Sequence, residues 1–461
     1  MNITLLAIQW GEVGMLVAQL LLSLSILVVL HEFGHYITAK WFKCRVEKFY
    51  LFFDPWFSLF KKKVGETEYG IGWLPLGGYV KISGMIDESM DKDQMKMPPQ
   101  PYEFRAKPAW QRLIIMLGGI IVNVLLAFII YAGILMVWGE KKIDSSSLKY
   151  GIAFNDPVFH SLGFRNGDKI VAIDGKPLDD YNETLKRLIV VDHNVTVIRD
   201  GKQEILNMPE DLIGQLIEKK KKSETPLISE RVPTIVKVLS DSSPARKAGL
   251  QAQDEIVGID GTTMNYYDET VAFLKNKKAN DNVTLTVKRK DSTMNIVTTL
   301  NSEGKIGFRP PLFDEELDSL GIIKYSVTKY GFFAAFPAGV KKAGYELNSY
   351  INQFKKILSP KTGGFKGLSG FKGMASVFNK YYWDWERFWT MTAFFSIALA
   401  FMNLLPIPAL DGGHVLFTLG EMITGRKPSE KFLEYAQIVG MVILLSLMLY
   451  ANGNDWLGWG K

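Results

Sequence analysis

The sequence predicts a polytopic α-helical membrane protein with two α+β domains inserted between its spans. Near-continuous apolar runs lie towards both ends of the 461-residue chain. The stretch between them, from about residue 140 to 385, has the composition of an ordinary soluble protein. Within that stretch a 22-residue segment occurs twice, at 163–184 and 249–270, with ten identical positions. Such internal similarity indicates two copies of one structural unit.

The overall composition excludes several classes of protein. With 47% hydrophobic and 12% aromatic residues, the chain does not have the composition of a disordered protein. The net charge of +6 is spread over scattered Lys and Arg residues, which favours contact with a membrane surface over nucleic-acid binding. Cys44 is the single cysteine, so an intramolecular disulfide is excluded and a thiolate metal site is not expected. Any metal must therefore be held by His and carboxylate side chains.

Four segments are long and apolar enough to cross a bilayer, which requires about 20 apolar residues per helix. The first is expected to be retained, because no Lys or Arg precedes it and no small-residue cleavage site follows it. The lipid bilayer is therefore an expected partner. The four segments are Gly14 to about Tyr36, Leu113 to Trp138, Phe388 to Leu405, and about Phe432 to Tyr450.

Positive charges between the spans predict their orientation. The loop after the first span contains Lys40, Arg45, Lys48 and the run Lys61–Lys63, and cytoplasmic loops are enriched in such residues. We therefore expect this loop, and the loop at 405–431, to face the cytoplasm. Both chain termini and the large middle stretch are then extracytoplasmic.

The two repeat copies have the same pattern of expected elements. Each begins with a turn and a short apolar strand that ends in Ile-Asp-Gly, followed by a helix that starts near Asp180 or Asp268 and then by strands rich in Val and Ile. This pattern resembles tandem PDZ domains, most clearly in the segment Ser243–Gly261. In PDZ folds a peptide can add as a strand to a sheet edge, so peptide tails are expected partners. The alternative is that both modules are only spacers.

Two further segments lie between the repeats and the third span. Residues 331–358 have apolar positions at helical spacing, which predicts amphipathic helices near the outer membrane face or packed against the second repeat. Residues 361–373 are rich in glycine and predict a hinge or loop. The expected domains are 1–138 (N-terminal membrane domain), 144–226 and 227–312 (first and second PDZ-like domains), 313–386 (juxtamembrane region) and 387–461 (C-terminal membrane domain).

The pentapeptide HEFGH, from His31 to His35, is an HExxH motif at the end of the first apolar segment. On a helix, residues four apart project from one face, so His31 and His35 can reach a single ion. Glu32 lies one position further round, where a carboxylate can act as general base on water without being a ligand. The alternative is a pair of helix-end histidines that merely face water. Ionisable groups in a membrane span are costly and functional by default, which favours the metal site.

A catalytic zinc site takes three protein ligands and leaves one position open. Beyond the first span, the ionisable groups at a corresponding depth lie in the segment NLLPIPALDGGH, 403–414. Asp411 is the candidate third ligand, and His414 is its rival. Two prolines break the third span just before Asp411, and the two glycines after it allow tight backbone turns. A broken helix end of this kind can direct a carboxylate towards a metal.

HExxH in the first span and NxxPxPxLDGG in the third, with PDZ-like repeats between them, resemble the site-2 protease family of intramembrane metalloproteases. The resemblance covers essentially the whole chain. It implies Zn²⁺ held by His31, His35 and Asp411 with Glu32 as base, in agreement with the residue-by-residue interpretation. It also implies that Asn403 binds substrate or stabilises an oxyanion. An amide that only satisfies the backbone freed by a nearby proline is an equally good account of Asn403.

The segment Glu68–Lys81 resembles the membrane-associated β-hairpin of the same family. Gly70 and Gly72 would permit close backbone approach if a substrate pairs along a strand edge. An ordinary surface hairpin is the alternative. Family members usually carry Pro where this chain has Gly119, a position that we do not expect to touch the metal site. The expected substrate-binding residues are Gly70, Gly72, Asn403, Pro406 and Pro408.

These observations predict an intramembrane zinc metalloprotease with its active site towards the cytoplasmic side, and the resemblance implies a bacterial inner membrane. The expected substrate is a single-pass membrane protein cleaved within or near its transmembrane segment, and the resemblance implies one such as an anti-sigma factor already trimmed on its outer side. A catalytically silent, membrane-anchored PDZ scaffold is the alternative, but such a protein would not need Glu32. A metal transporter would need further intramembrane carboxylates or histidines along a path, and the spans contain few.

Overall fold

The computed structural model describes residues 10–85, 98–219 and 226–459. Parts of the expected domains, at 1–9, 86–97, 220–225 and 460–461, lie outside the described residues. The chain forms two compact units. The first contains residues 1–139, 329–355 and 366–461, and the second contains residues 140–328 and 356–365.

Long helices form most of the first unit, and short helices accompany the sheets of the second. This follows from the apolar runs towards the two ends of the chain. The described helices are α1 (Trp10–Trp41), α2 (Ala109–Val137), α3 (Pro157–Ser161), α4 (Thr184–Leu188), α5 (Leu212–Lys219), α6 (Pro244–Lys247), α7 (Tyr267–Leu274), α8 (Asp314–Ser319), α9 (Phe332–Leu358), α10 (Phe371–Ser376), α11 (Trp385–Leu404), α12 (Asp411–Thr424) and α13 (Glu430–Leu457).

All the described strands except the first two belong to the second unit. They are β1 (Val46–Val64), β2 (Thr67–Ile82), β3 (Glu140–Ile143), β4 (Ile152–Phe154), β5 (Lys169–Ile173), β6 (Lys176–Pro177), β7 (Asn194–Arg199), β8 (Lys202–Asn207), β9 (Ile228–Glu230), β10 (Val238–Leu239), β11 (Glu255–Ile259), β12 (Thr262–Thr263), β13 (Asn282–Arg289), β14 (Ser292–Thr299), β15 (Phe308–Arg309) and β16 (Tyr325–Thr328).

Three helices in the described part of the chain, α1, α2 and α13, are long and apolar enough to cross a membrane. They cover the first, second and fourth expected spans. The third expected span coincides with α11, which has 20 residues but carries Glu386 in its first turn. It also carries polar side chains that are almost completely buried, Thr392 and Ser396, which lower its average hydropathy. The count of four spans therefore remains a prediction.

Helix α2 packs against α1, α11 and α12. Hydrogen bonds hold the buried polar groups at these contacts. Ser396 of α11 donates to the backbone oxygen of Asn123 in α2 at 2.7 Å, and the hydroxyl groups of Ser23 and Thr392 lie 2.9 Å apart between α1 and α11. Because buried polar groups must be paired, these bonds also fix how the helices are rotated against one another.

The strands β1 and β2 form an antiparallel hairpin that folds back on itself. Its register is broken, so that Tyr50 of β1 is paired with both Gly70 and Tyr79 of β2. Residues 78–82 pair only with the start of β1, which leaves one side of this segment without a strand partner among the described residues. The far end of the hairpin carries exposed apolar side chains, including Trp56, which is 91% exposed and stacks on Trp73.

In the second unit, the sequence repeat is also a structural repeat. The first copy forms a four-stranded sheet of order β6-β5-β7-β8, and the second forms the matching sheet β12-β11-β13-β14. A buried Asp pairs with an Arg at equivalent positions, Arg199 with Asp168 and Arg289 with Asp254, each at 2.7 Å. Each copy also has a hydrophobic core of its own.

Residues that follow the second repeat complete the core of the first one. Leu317, Ile322 and Ile323, which the sequence analysis placed in the juxtamembrane region 313–386, are buried in that core. Strand β16 pairs with β3, with Glu140 opposite Thr328. The segment 140–328 of the second unit therefore begins and ends at adjacent positions.

Helix α9 is amphipathic, as the spacing of its apolar residues predicts. Its buried face includes Ala335, Gly339 and Ala343. A side chain at Gly339 would lie 2.7 Å from the backbone nitrogen of Ala132, so this face approaches α2 closely. The small residues of α9 thus allow helix-to-helix contact within the first unit.

Candidate metal centre and cavity

Two neighbouring side chains of α1 and one that is distant in sequence converge on one point in the first unit. His31 and His35 lie one turn apart on α1, and their Nε2 atoms are 3.3 Å apart. Asp411 is the first residue of α12, and its Oδ2 atom lies 3.2 Å from the Nε2 atom of each histidine. Among the described residues, these three form the one cluster of potential metal ligands.

The spacing of these atoms fits a tetrahedral zinc site. Ligand atoms about 2.0–2.1 Å from zinc at tetrahedral angles are about 3.3 Å from one another. The three separations of 3.2 to 3.3 Å agree with this value. Two imidazoles and one carboxylate are also a donor set that zinc accepts. The residues therefore fit zinc, with a fourth position left for water or substrate.

Asp411 reaches the histidines because the chain breaks between α11 and α12. Helix α11 ends at Leu404, and Ala409 has a left-handed backbone conformation with φ of +94° just before α12 begins. We expected Gly412 and Gly413 to allow tight turns after Asp411, but both lie within α12. A side chain at Gly412 would collide with the backbone of Leu404 and Leu405. These glycines therefore allow α12 to pack against the broken segment.

A hydrogen bond from the outer nitrogen of each imidazole orients the two histidines. The Nδ1 atom of His35 lies 2.8 Å from the backbone oxygen of Ile115, which can only accept. Nδ1 therefore carries the proton, and Nε2 offers its lone pair to the centre. Metal-binding histidines are commonly oriented by such a bond.

Asn123 orients the imidazole of His31 in the same way. The sequence analysis did not identify this residue. Its side-chain amide lies 3.1 Å from Nδ1 of His31, and the residue is fully buried. Its Oδ1 atom has no hydrogen-bond partner in the described part of the chain. The oxygen and nitrogen of a side-chain amide are assigned from the hydrogen-bond network. When the Asn123 amide is rotated so that these two atoms exchange positions, Oδ1 accepts a hydrogen bond from the Nδ1–H group of His31. The available signal was a polar residue within the apolar segment Leu113–Trp138.

Replacing Asn123 with Leu is expected to weaken zinc binding about 10- to 100-fold, because His31 loses the partner that fixes its ring. The measurement is competition for zinc between the purified protein and a chelator of known affinity. Ser396→Ala is the matched control, since it removes a hydrogen bond to the backbone of Asn123 and leaves the amide in place. Equal zinc affinities for the wild-type protein and Asn123→Leu would contradict this role.

The centre opens onto a cavity of about 720 Å³. Glu32 lines this cavity beside His31, His35 and Asp411, as its position in HEFGH predicts. The residues of the unpaired hairpin edge, Gly78, Tyr79, Val80, Lys81 and Ile82, also line the cavity. The metal ligands and a strand edge without a partner among the described residues therefore border one space.

Hydrogen bonds within the hairpin hold this wall of the cavity. The hydroxyl group of Tyr79 donates to Asp54 at 2.8 Å, and Ser58 donates to the other carboxylate oxygen of Asp54 at 3.0 Å. Burial, together with the bond to Asp54, raises the pKa of Tyr79 well above its ordinary value. Tyr79 therefore remains a neutral hydrogen-bond donor at physiological pH.

The structure separates the expected substrate-binding residues into two groups. The Nδ2 atom of Asn403 lies 3.1 Å from Nε2 of His31, beside the centre. Gly70 and Gly72 do not line the cavity, because the space that their missing side chains leave is taken by Tyr50 and Phe53 of β1. Their close backbone approach is thus made within the hairpin. Asn403, Pro406 and Pro408 likewise do not line the cavity.

Two further expectations concern positions next to the centre. His414, the rival third ligand, lines the cavity but does not belong to the ligand cluster. Gly119, which we expected to lie away from the site, is in direct contact with it. A side chain at Gly119 would collide with Nε2 of His35 and lie 2.6 Å from Cε1 of His31. The expectation for Gly119 was wrong because the rotation of α2 against α1 cannot be inferred from an apolar run.

Comparison with known proteins adds independent evidence. Residues 19–447 match the model of Peptidase family M50. The chain is 29% identical to the "Regulator of sigma-E protease RseP" of Escherichia coli, over 95% of this chain and 98% of that protein. It is 28% identical to the "Regulator of sigma E protease" of Salmonella typhi, over 98% and 99%. A "Putative zinc metalloprotease" of Thermotoga maritima is 25% identical over 96% and 99%.

Proposed function

The chain belongs to peptidase family M50, and from this premise we propose that it hydrolyses a peptide bond within or near the transmembrane segment of a single-pass membrane protein. It is a zinc metalloendopeptidase with helices apolar enough to span a membrane. The observation that carries the proposal is the cluster of His31, His35 and Asp411, which opens with Glu32 onto one cavity.

Each residue of the site has a distinct proposed role. The Nε2 atoms of His31 and His35 and the Oδ2 atom of Asp411 would hold zinc, which polarises the scissile carbonyl and promotes ionisation of water. Glu32 takes the proton of the attacking water and delivers it to the leaving amine. Asn403 is proposed to donate a hydrogen bond where negative charge develops on the carbonyl oxygen, a role that its contact of 3.1 Å with His31 supports. Asn123 and the Ile115 carbonyl orient the two imidazoles.

The substrate must unwind locally before it can be cut. A transmembrane helix bonds its backbone groups internally, so its carbonyls are not accessible to a nucleophile. The hairpin edge 78–82 lines the cavity and can add an extended segment as a further strand. Five residues of strand span about 17 Å. We therefore propose that the substrate contacts residues 78–82 of the hairpin and not Gly70 and Gly72.

The family also supports a location and a class of substrate. We place the chain in a bacterial inner membrane with four spans, α11 being the third, and with both termini and the repeats outside the cytoplasm. The exposed aromatic end of the hairpin suits contact with lipid. Since several relatives carry the name "Regulator of sigma E protease" or "Regulator of sigma-E protease RseP", we propose an anti-sigma factor, already trimmed on its outer side, as the substrate.

The second unit is proposed to contain two PDZ-like domains. Each of the expected ranges 144–226 and 227–312 contains one of the two sheets, which supports two domains. The first domain also takes in β9, which pairs with β4, and residues 313–328, through Leu317, Ile322 and Ile323. The remaining proposed domains are 1–138, the rest of 313–386, and 387–461. No residue of the ligand cluster lies in the repeats. Their proposed role is therefore to control which substrates reach the site, by size or by binding peptide tails.

The proposed function is tested by incubating the purified full-length protein with a model transmembrane peptide in detergent. Cleavage by zinc-loaded wild-type protein, lost on chelation and restored by zinc, is expected. Protein with the Glu32→Gln substitution serves as the inactive control. Failure of zinc-loaded protein to cut any transmembrane peptide, while it cuts a soluble peptide, would overturn the intramembrane assignment.

Removing the repeats is expected to broaden substrate choice without abolishing hydrolysis. Glu140 and Thr328 are paired neighbours, so residues 140–328 can be replaced by a short Gly/Ser linker. Zinc content and cleavage of a minimal transmembrane peptide should be retained, and a substrate with its outer domain intact should now be cut. The measurement is the ratio of cleavage rates for the long and the truncated substrate.

Two outcomes of this deletion would contradict the proposed filter. An unchanged ratio of the two rates would show that the repeats do not select substrates. A zinc-loaded deletion variant that cannot cut even the short peptide would show that the repeats support the active conformation instead. The same deletion combined with Glu32→Gln provides the background rate.

A further inference from the structure

Gln437 is a buried polar residue on a helix that is otherwise largely exposed and apolar. Helix α13 exposes side chains such as Val439 and Val442, which are 57% and 58% exposed. Gln437 on the same helix is only 5% exposed and lines the cavity that contains Glu32 and Asp411. Polar side chains within a membrane span are costly and are usually retained for a function.

The packing of α13 explains why Gln437 reaches the cavity. A side chain at Gly440 would collide with the backbone carbonyl of Pro408, so α13 crosses the broken segment in close contact there. Gln437 lies three residues before Gly440, close to one helical turn, and shares its face. The residues beside it in the cavity wall, Ala409 and Leu410, lead directly to Asp411.

The amide of Gln437 forms no hydrogen bond with any described residue of the protein. It therefore differs from the other buried amides near the site, since Asn123 and Asn403 both contact His31. Its amide atoms are not among the fully buried atoms that lack a partner, so they are accessible from the cavity, where a bound ligand can supply their hydrogen bonds. Gln437 does not bond to Asp411, and a role in orienting that ligand is not supported.

We propose that Gln437 is a substrate-positioning residue that binds the backbone of the unwound peptide. Its Nε2 atom donates to a substrate carbonyl, and its Oε1 atom accepts from a substrate N–H group. A side-chain amide can form hydrogen bonds with both the N–H and the C=O group of a peptide. These bonds do not depend on the side chains of the substrate. The hairpin edge and Gln437 line the same cavity, so both can bind the unwound segment. This inference rests on the proposed function, because it requires a peptide in the cavity.

The test measures substrate binding separately from turnover. Gln437→Met keeps the length of the side chain and removes both hydrogen-bonding groups. In a Glu32→Gln background, it should weaken binding of a fluorescent transmembrane peptide about 3- to 12-fold, the loss expected for one or two hydrogen bonds. With Glu32 present, KM should rise by a similar factor while kcat changes little. Zinc content should be unchanged.

Two further variants make the result specific. Ser446→Met changes an exposed polar residue on the same helix and should bind the peptide as the wild-type protein does. Gln437→Asn keeps the amide but withdraws it by one methylene group, and should weaken binding even if the Met variant folds poorly. Unchanged peptide affinity in a folded Gln437 variant would overturn the inference, as would loss of zinc. If the wild-type protein binds but does not cut the peptide, the proposed function fails instead.

Discussion

Glu32→Gln is expected to abolish peptide-bond hydrolysis while leaving about one zinc ion bound per chain. An amide of the same shape cannot take a proton from water, and loss of a general base typically lowers kcat about 10²- to 10⁴-fold. Zinc should remain because the cluster of His31, His35 and Asp411 does not include Glu32. Glu32 instead lines the cavity into which a peptide would enter.

The measurement pairs zinc analysis of the purified variant with cleavage of a model transmembrane peptide. The affinity for the peptide is a second measurement, because a variant that cannot hydrolyse its substrate should still bind it. Loss of zinc from Glu32→Gln would mean that this carboxylate is a ligand. Full cleavage activity with zinc bound would mean that another group acts as the base.

Asp411→Ala is expected to lower zinc affinity more than about 100-fold, beyond the effect of losing a hydrogen-bond partner of a ligand. The Oδ2 atom of Asp411 is equidistant from His31 and His35, so its removal leaves two imidazoles and an incomplete ligand set. Cleavage should fall to background at ordinary zinc concentrations. Partial recovery at high zinc concentration would separate lost affinity from misfolding.

His414→Ala is the matched control, since His414 lies on the same helix and lines the same cavity without joining the ligand cluster. It should retain zinc with an affinity close to that of the wild-type protein. Retention of zinc by Asp411→Ala combined with loss from His414→Ala would reverse the assignment of the third ligand. Competition with a chelator measures both variants on one scale.

Much of this architecture could be predicted from the sequence because the pattern of residues within one segment determines its secondary structure and which of its faces is apolar. Apolar runs of about 20 residues predicted helices that the structure contains, since such a segment must satisfy its backbone internally to enter a membrane. The 22-residue repeat predicted two equivalent sheets because similar sequences form similar secondary-structure elements. The four-residue spacing of His31 and His35 is enough to place both side chains on one face of a helix.

Only the tertiary structure decided which side chains meet across elements. Asn123 and Gln437 look alike in sequence, as single amides in the apolar segments Leu113–Trp138 and Phe432–Tyr450, yet one contacts His31 and the other lines the substrate cavity. Gly119 touches both histidines, whereas Gly70 and Gly72 pack within the hairpin. These assignments depend on the rotation and crossing of helices and on a broken strand register. Periodicity in one segment specifies which face of an element is apolar, but the partner of that face is set by packing between segments that are far apart in the sequence.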